Sequence, residues 1–302
     1  MFILTFCLTI VGTLIFIPSV FSSSKLTVVD DSGATIRLKK PAIRIVALAP
    51  HIVENIYSAG AGDLLVASVN HADYPPEASS LPRVGGYNTF NIEAIAALKP
   101  DVIFAWQSGT PKHFIDKIKQ LGIPLYLDEP STMEEVANSI RNIGILTNRK
   151  NTAEITIKKY LNDLQQLRQI NVAKTNVTVF YQVWHDPIYT INGQQIISDV
   201  LRICGGKNIY ASEKIKAPII TIESLIARNP DIIISGSNHE KNVDPLHRWK
   251  KWPNLTAIKH NNLFTVNADI VSRHTVRLIQ GAHSVCENFD IARQNLHQNT
   301  SQ

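Results

Sequence analysis

Short β-branched runs alternate with helical spacings along most of the chain. Residues 26–38 alternate apolar and polar around Asp30-Asp31-Ser32-Gly33, which predicts a hairpin with a glycine turn. Residues 43–48 have the composition of a buried strand and end at Pro50. A helix over about 51–58 follows, stopped by Gly60 and Gly62. Residues 64–69 predict the next strand. The same reasoning predicts a helix over 111–121, a strand over 124–127 and a helix over 133–146. Further on it predicts strand 177–181, helix 196–203 closed by Gly205-Gly206, strand 263–266, a polar loop over 267–275 and a last helix over 276–295.

One unit of this pattern occurs twice. Residues 92–104 and 222–234 both read Ile-Glu, a short helix of small and aliphatic residues, Pro-Asp, then an aliphatic run. Proline cannot donate to the helical ladder and pushes the residue before it out of the helical region. The β-branched run that follows suits a buried parallel strand. Two ungapped copies predict two lobes built on similar plans, and a cleft between lobes is a usual place for a ligand.

Residues 150–169 break the alternation. Ile157, Tyr160, Leu161, Leu164 and Leu167 keep helical spacing with no glycine or proline among them. The expected fold class is therefore α/β: two Rossmann-like lobes with parallel sheets, joined by a single long rigid helix, with the ligand cleft between them. The expected division is a leader over 1–22, an N-terminal lobe over 23–149, an interlobe helix over 150–174 and a C-terminal lobe over 175–302.

Composition narrows the class. With 302 residues, two lobes can each bury a core, and 44% apolar residues suit a folded chain. The net charge of +5 is scattered, with its densest group at Arg248, Lys250 and Lys251, and gives no nucleic-acid groove. Residues 1–21 carry no charge and lead into Ser22-Ser23-Ser24, which fits a cleaved secretory signal peptide and export. A retained N-terminal anchor is the alternative, because the run is almost long enough to span a bilayer. Cys7 leaves with the leader. Cys204 and Cys286 remain, either as a disulfide or as two buried thiols.

Ligands of open parallel sheets meet the loops at the carboxyl ends of the strands. Those loops carry His71 and Tyr74, Tyr87 and Asn88, Trp106, Trp184 with His185 and Asp186, and Asp269 with Arg273 and His274. Aromatics give large contact area at small entropic cost, so this set suits a bulky, partly apolar ligand with polar groups rather than a bare ion.

Several stretches carry a family resemblance. They are Arg44-Ile45-Val46-Ala47-Leu48-Ala49-Pro50, Asp73-Tyr74-Pro75-Pro76, Leu98-Lys99-Pro100-Asp101 through Ala105-Trp106, and Cys204-Gly205-Gly206-Lys207-Asn208-Ile209. Over nearly the whole mature chain, the sequence resembles the periplasmic cobalamin-binding proteins of bacterial ABC importers, within the class that also carries siderophores and haem. The resemblance implies a binding protein without catalysis, monomeric when free. Its ligand would be cobalamin (vitamin B12) or a related corrinoid, carried as cargo rather than as a cofactor, and its partner an importer permease dimer. It implies ligand contacts at His71, Tyr87, Asn88, Trp106, Trp184 and Asp269-Ile270-Val271-Ser272-Arg273. His71 stands where the family can have Tyr, and Tyr87 where it can have Trp. The resemblance also implies a disulfide between Cys204 and Cys286, and docking of Glu93 and Glu223 on permease arginines.

Three other classes compete with this reading. A haem or iron–siderophore carrier on the same fold would use His71, His185 or His274. A zinc- or manganese-binding protein would need a compact ligand set, and the ten histidines show no short metal spacing. No Gly-x-Ser-x-Gly elbow, phosphate loop or Cys-x-x-Cys pair points to an enzyme.

Overall fold

The computed structural model describes residues 26–86, 89–237 and 244–298; the expected leader, residues 1–22, lies outside them. The first lobe opens with the antiparallel hairpin β1 (Leu26–Val29) and β2 (Thr35–Leu38). Strand β3 (Ile45–Ala47), helix α1 (Pro50–Ser58) and strand β4 (Leu65–Ala67) follow. A two-residue ladder, β5 (Gly85–Gly86) with β6 (Thr89–Phe90), leads into α2 (Ile92–Ala97) and β7 (Val102–Trp106). Helix α3 (Lys112–Gln120), strand β8 (Leu125–Asp128) and helix α4 (Met133–Leu146) complete the lobe. The parallel sheet runs β4-β3-β7-β8. All of β3 and the first four residues of β7 are buried, as expected of strands covered on both faces.

Helix α5 (Lys150–Asn171) then crosses to the second lobe, and at 22 residues it spans about 33 Å. It is not an isolated rod. Ala153, Ile157, Tyr160, Leu164 and Leu167 face inward, and the Tyr160 hydroxyl donates to the Met133 carbonyl of α4 at 2.8 Å. The two helices meet closely where Gly144 faces Ala153; a Cβ on Gly144 would lie 2.6 Å from the Ala153 methyl.

The second lobe contains β9 (Val177–Gln182), the small hairpin β10 (Trp184–His185) and β11 (Ile188–Tyr189), and α6 (Ile196–Ile203). After these come β12 (Gly206–Asn208), α7 (Ile222–Arg228), β13 (Ile232–Ser237), α8 (Thr256–Lys259) and β14 (Leu263–Asn267). Its parallel sheet runs β12-β9-β13-β14. The described residues end in α9 (Ala268–Val271) and α10 (Leu278–Gln298). Several stretches differ from expectation, two of them in the second lobe. The supposed polar loop over 267–275 contains α9, because the Asn267 side chain accepts from the Ile270 amide and caps a turn. Residues 206–208, expected only to follow a helix stop, form an edge strand on β9.

The repeated unit folds alike in both lobes. Asn91 and Thr221 cap α2 and α7 by accepting from the amides of Ala94 and Ser224. Glu93 and Glu223 are exposed, while Ile95 and Leu225 are fully buried. Before each Pro-Asp, Lys99 and Asn229 take left-handed φ values of 46° and 41°. The Asp also has a job that the sequence does not announce. Asp101 accepts from the Arg44 amide just before β3, and Asp231 from the Thr178 amide in β9. Each carboxylate thus pins the neighbouring strand of its own sheet.

Candidate ligand-binding cleft

The carboxyl ends of β3, β7 and β8 bring three first-lobe residues together. His51 stands in the first turn of α1, Trp106 ends β7 and Asp128 ends β8. The connection between α9 and α10 brings Arg273 and His274 against them from the second lobe. The three rings form a closed group. His51 and His274 centroids lie 4.9 Å apart, and the Trp106 ring meets them edge-on at 5.5 and 5.7 Å. Trp106 is half-buried, whereas His51, His274 and Asp128 are buried. His51 Nε2 lies 3.2 Å from Asp128 Oδ2, within ion-pairing range but misaligned for a hydrogen bond. The other Asp128 oxygen accepts from Ser139 Oγ at 2.6 Å. Burial holds the His274 imidazolium far below its ordinary pKa, and His51 and Lys216 add to the effect. The Asn55 amide donates to the His274 carbonyl at 2.9 Å and fixes that loop to α1.

Beside the rings, one buried carboxylate binds two cations from the other lobe. Glu54 is 2% exposed. Its Oε1 accepts from Arg273 Nη1 at 2.8 Å and from Arg277 Nη2 at 2.9 Å, and its Oε2 from Arg277 Nε at 2.9 Å. Arg273 also donates to Asp269 at 3.1 Å, to Asp73 at 3.2 Å and to the His71 carbonyl at 3.3 Å. Burial works against the Arg273 charge, yet the Glu54 hydrogen bond and the Asp269 carboxylate leave its pKa above the ordinary value. The Arg277 guanidinium lies 3.8 Å from the Tyr74 ring centroid. Farther along, Lys216 Nζ of the second lobe meets Glu129 Oε1 of the first at 2.5 Å. The backbone amide of Met133, at the start of α4, donates to Asp199 of α6 at 2.8 Å.

These contacts join His71, Asp269 and Arg273 in one cross-lobe network, with Trp106 in the adjoining ring group. Trp184 stands in its own ribbon. It is 55% exposed, packs on His185 and donates from its indole N–H to the Asp186 carbonyl. It is register partner of Tyr189, which bridges Ile219, so the three side chains share one face. Ile270 is half-buried and Ser272 exposed. Val271 departs from the expected contact set: it is fully buried in the core, pressed against α10 at Gly281. Tyr87 and Asn88 lie outside the described residues. The sequence reading missed Glu54, Arg277, Asp128 and His51. Glu54 had a signal, since an acid among Ile52, Val53 and Ile56 on one helix needs a partner if it is buried.

Cys204 and Cys286 form a disulfide between the end of α6 and α10. Among the described residues, no three His, Cys, Asp or Glu side chains converge as metal ligands, and no helix is long and apolar enough to cross a membrane.

Residues 45–270 match the family model described as "Periplasmic binding protein". A Vibrio parahaemolyticus protein named vitamin B12-binding protein is 32% identical over 93% of this chain and 97% of its own length. A Vibrio cholerae protein of the same name is 34% identical over 84% of this chain and 91% of its length. The crystal structure of the periplasmic vitamin B12-binding protein of Vibrio cholerae matches with a TM-score of 0.78, at 34% identity, over 84% of this chain and 98% of that one. A periplasmic heme-binding protein from Roseiflexus shares the fold, with a TM-score of 0.72 at 20% identity over 82% of this chain and 98% of that one.

Proposed function

Because the chain belongs to the periplasmic binding protein family, we propose that it captures cobalamin or a related corrinoid between its lobes and delivers it to an ABC importer. The observation that carries this reading is the charge state of the lobe junction. Arg273, Arg277 and Lys216 each already meet a carboxylate of the opposite lobe. A ligand recognised through several carboxylates would need cations to spare. A bulky ligand with a neutral periphery needs aromatic area and hydrogen bonds instead, which Trp106 and the exposed Trp184 face supply.

In this reading Trp106, His71, Asp269 and Arg273 border the ligand at the lobe junction, and Trp184 with Tyr189 and Ile219 offers an apolar wall on the second lobe. Tyr87 and Asn88 belong to the same ligand set. Ile270, in α9, adjoins Asp269, and Ser272, just past the end of α9, adjoins Arg273. Val271 supports them from the core. Glu93 and Glu223, exposed at matching positions of the two repeats, dock on arginines of a two-fold permease. The protein works in the periplasm, with no catalytic step, and is monomeric when free.

Calorimetric titration of the exported protein with cyanocobalamin tests the reading, with hemin and a ferric siderophore as controls. Saturable binding of cyanocobalamin alone supports it. Saturable binding of hemin or siderophore with none of cyanocobalamin overturns it.

A further inference from the structure

The ring group at the lobe junction holds more hydrogen-bonding capacity than the protein itself uses. Trp106 Nε1, His274 Nδ1, His51 Nε2 and Asp128 Oδ2 are all buried, and among the described residues none has a hydrogen-bond partner, although His51 Nε2 and Asp128 Oδ2 lie within ion-pairing range of each other. Asn55 Oδ1 is likewise buried without a partner among the described residues, on the residue whose amide nitrogen holds the His274 carbonyl. Buried polar groups in folded proteins are nearly always paired, so Trp106 Nε1, His274 Nδ1 and Asn55 Oδ1, which lack even an ionic partner, mark a place built for something else. Trp106 is the one member that is half-exposed, and so the one a ligand edge can reach from solvent.

We propose that Trp106, His274 and Asn55 form a neutral polar subsite that takes a primary carboxamide of the ligand and rejects a carboxylate at the same position. This rests on the corrinoid reading, since a corrin ring carries carboxamide arms around its edge. The chemistry follows from the donors and acceptors present. An indole N–H only donates, so it needs an oxygen. Asn55 Oδ1 only accepts, so it needs an N–H. A carboxamide supplies both from one planar group. A carboxylate supplies only acceptors, leaves Asn55 unpaired and brings a negative charge beside Asp128. His274 gives no compensating charge, because burial and the neighbouring His51 and Lys216 keep it neutral. Lys216 is itself held by Glu129. A site built to hydrogen-bond a neutral group discriminates through the groups left unpaired by the wrong one.

The test titrates the exported protein with cyanocobalamin and with each of its singly hydrolysed monocarboxylic acids at pH 7.5. The expected result is that at least one acid isomer binds about tenfold or more weakly than the parent, the scale set by one unpaired buried group. Trp106→Phe and His274→Leu are each expected to narrow that ratio to about threefold or less, on the same scale. His274→Gln, which keeps a neutral hydrogen-bonding group, is expected to retain the ratio. Thermal melts identify any variant that fails to fold, and the remaining variants then decide. Full binding of cyanocobalamin with every acid isomer within about threefold would overturn the subsite while leaving the corrinoid reading intact. So would an unchanged ratio in the folded variants. Absence of cyanocobalamin binding would instead overturn the corrinoid reading, and the subsite with it.

Discussion

The Glu54 carboxylate in the first lobe accepts from Arg273 Nη1 of the second at 2.8 Å, in a place where Glu54 is 2% exposed. Arg277 makes two further bonds to the same carboxylate. One acid therefore holds two cations across the junction and sets where the Arg273 fork sits. Replacing it leaves the largely buried Arg277 guanidinium without its carboxylate, while Arg273 keeps Asp269 and Asp73. Glu54→Ala is expected to lower stability by about 3–5 kcal/mol in urea unfolding, the range for breaking one side of a buried pair. Glu54→Gln keeps the shape and loses the charge, and is expected to cost less. Wild-type stability in Glu54→Ala would show that the clamp carries little energy.

His274 gives the protein an acid sensitivity with a defined sign. Burial first, then His51 and Lys216, holds its folded-state pKa well below the ordinary 6.5. Below that pH the unfolded chain takes up a proton that the folded chain refuses, so stability falls as the pH falls. The slope approaches about 1.4 kcal/mol per pH unit for one such group. Asp31, whose carboxyl burial raises to about 6, works in the opposite sense between 3.8 and 6. The clean measurement is therefore a difference. His274→Leu should lose part of the acid sensitivity of the wild type between pH 6.5 and pH 4.5 in chemical unfolding. Parallel curves for the two proteins would refute this role.

Local signals made some elements legible in the sequence and left others hidden. Helix α4 begins at Met133, where the reading placed it, because Thr132 and Glu135 form a capping box. Helix α6 ends where Gly205 turns left-handed at φ +77°. Strand β12 was hidden, since Gly206-Lys207-Asn208 has no strand propensity and becomes a strand only by pairing with β9. The cleft divides the same way. Trp106 was visible as an aromatic at a strand end. The Glu54 pairing was not, because its partners lie 219 and 223 positions away and nothing local names them. The ring group needs positions 51, 106 and 274 at once, which only the packed lobes supply.

The Cys204–Cys286 bond closes a stretch with a sequence separation of 82 and ties α6 to α10 inside the second lobe. A long closed loop restricts the unfolded chain most. Cys204→Ser with Cys286→Ser is expected to lower stability by about 2–5 kcal/mol. The comparison is urea unfolding of the oxidised wild type against the double variant. Equal midpoints would show that the cross-link adds nothing beyond the packing around it.

Glu93 and Glu223 occupy the same position in the two copies of one structural unit. Each sits one residue into a capped helix turn, exposed, above a fully buried aliphatic at Ile95 or Leu225. The carboxyl of Glu223 is held below its ordinary pKa by hydrogen bonds to its own backbone and to Thr221. A negative charge there favours the helix N-terminus, and that alone explains an acid at each site. The matched pair of exposed charges adds something that capping does not need: two anchor points, one per lobe, suited to a two-fold partner. Capping and docking predict different outcomes for Glu93→Ala with Glu223→Ala. If capping is the whole role, stability drops by about 1 kcal/mol or less and uptake continues. If docking is the role, cyanocobalamin affinity in solution stays within about twofold of wild type, while uptake by cells carrying the importer is lost. Uptake at the wild-type rate in the double variant would leave these residues as favourable charges at their helix N-termini alone.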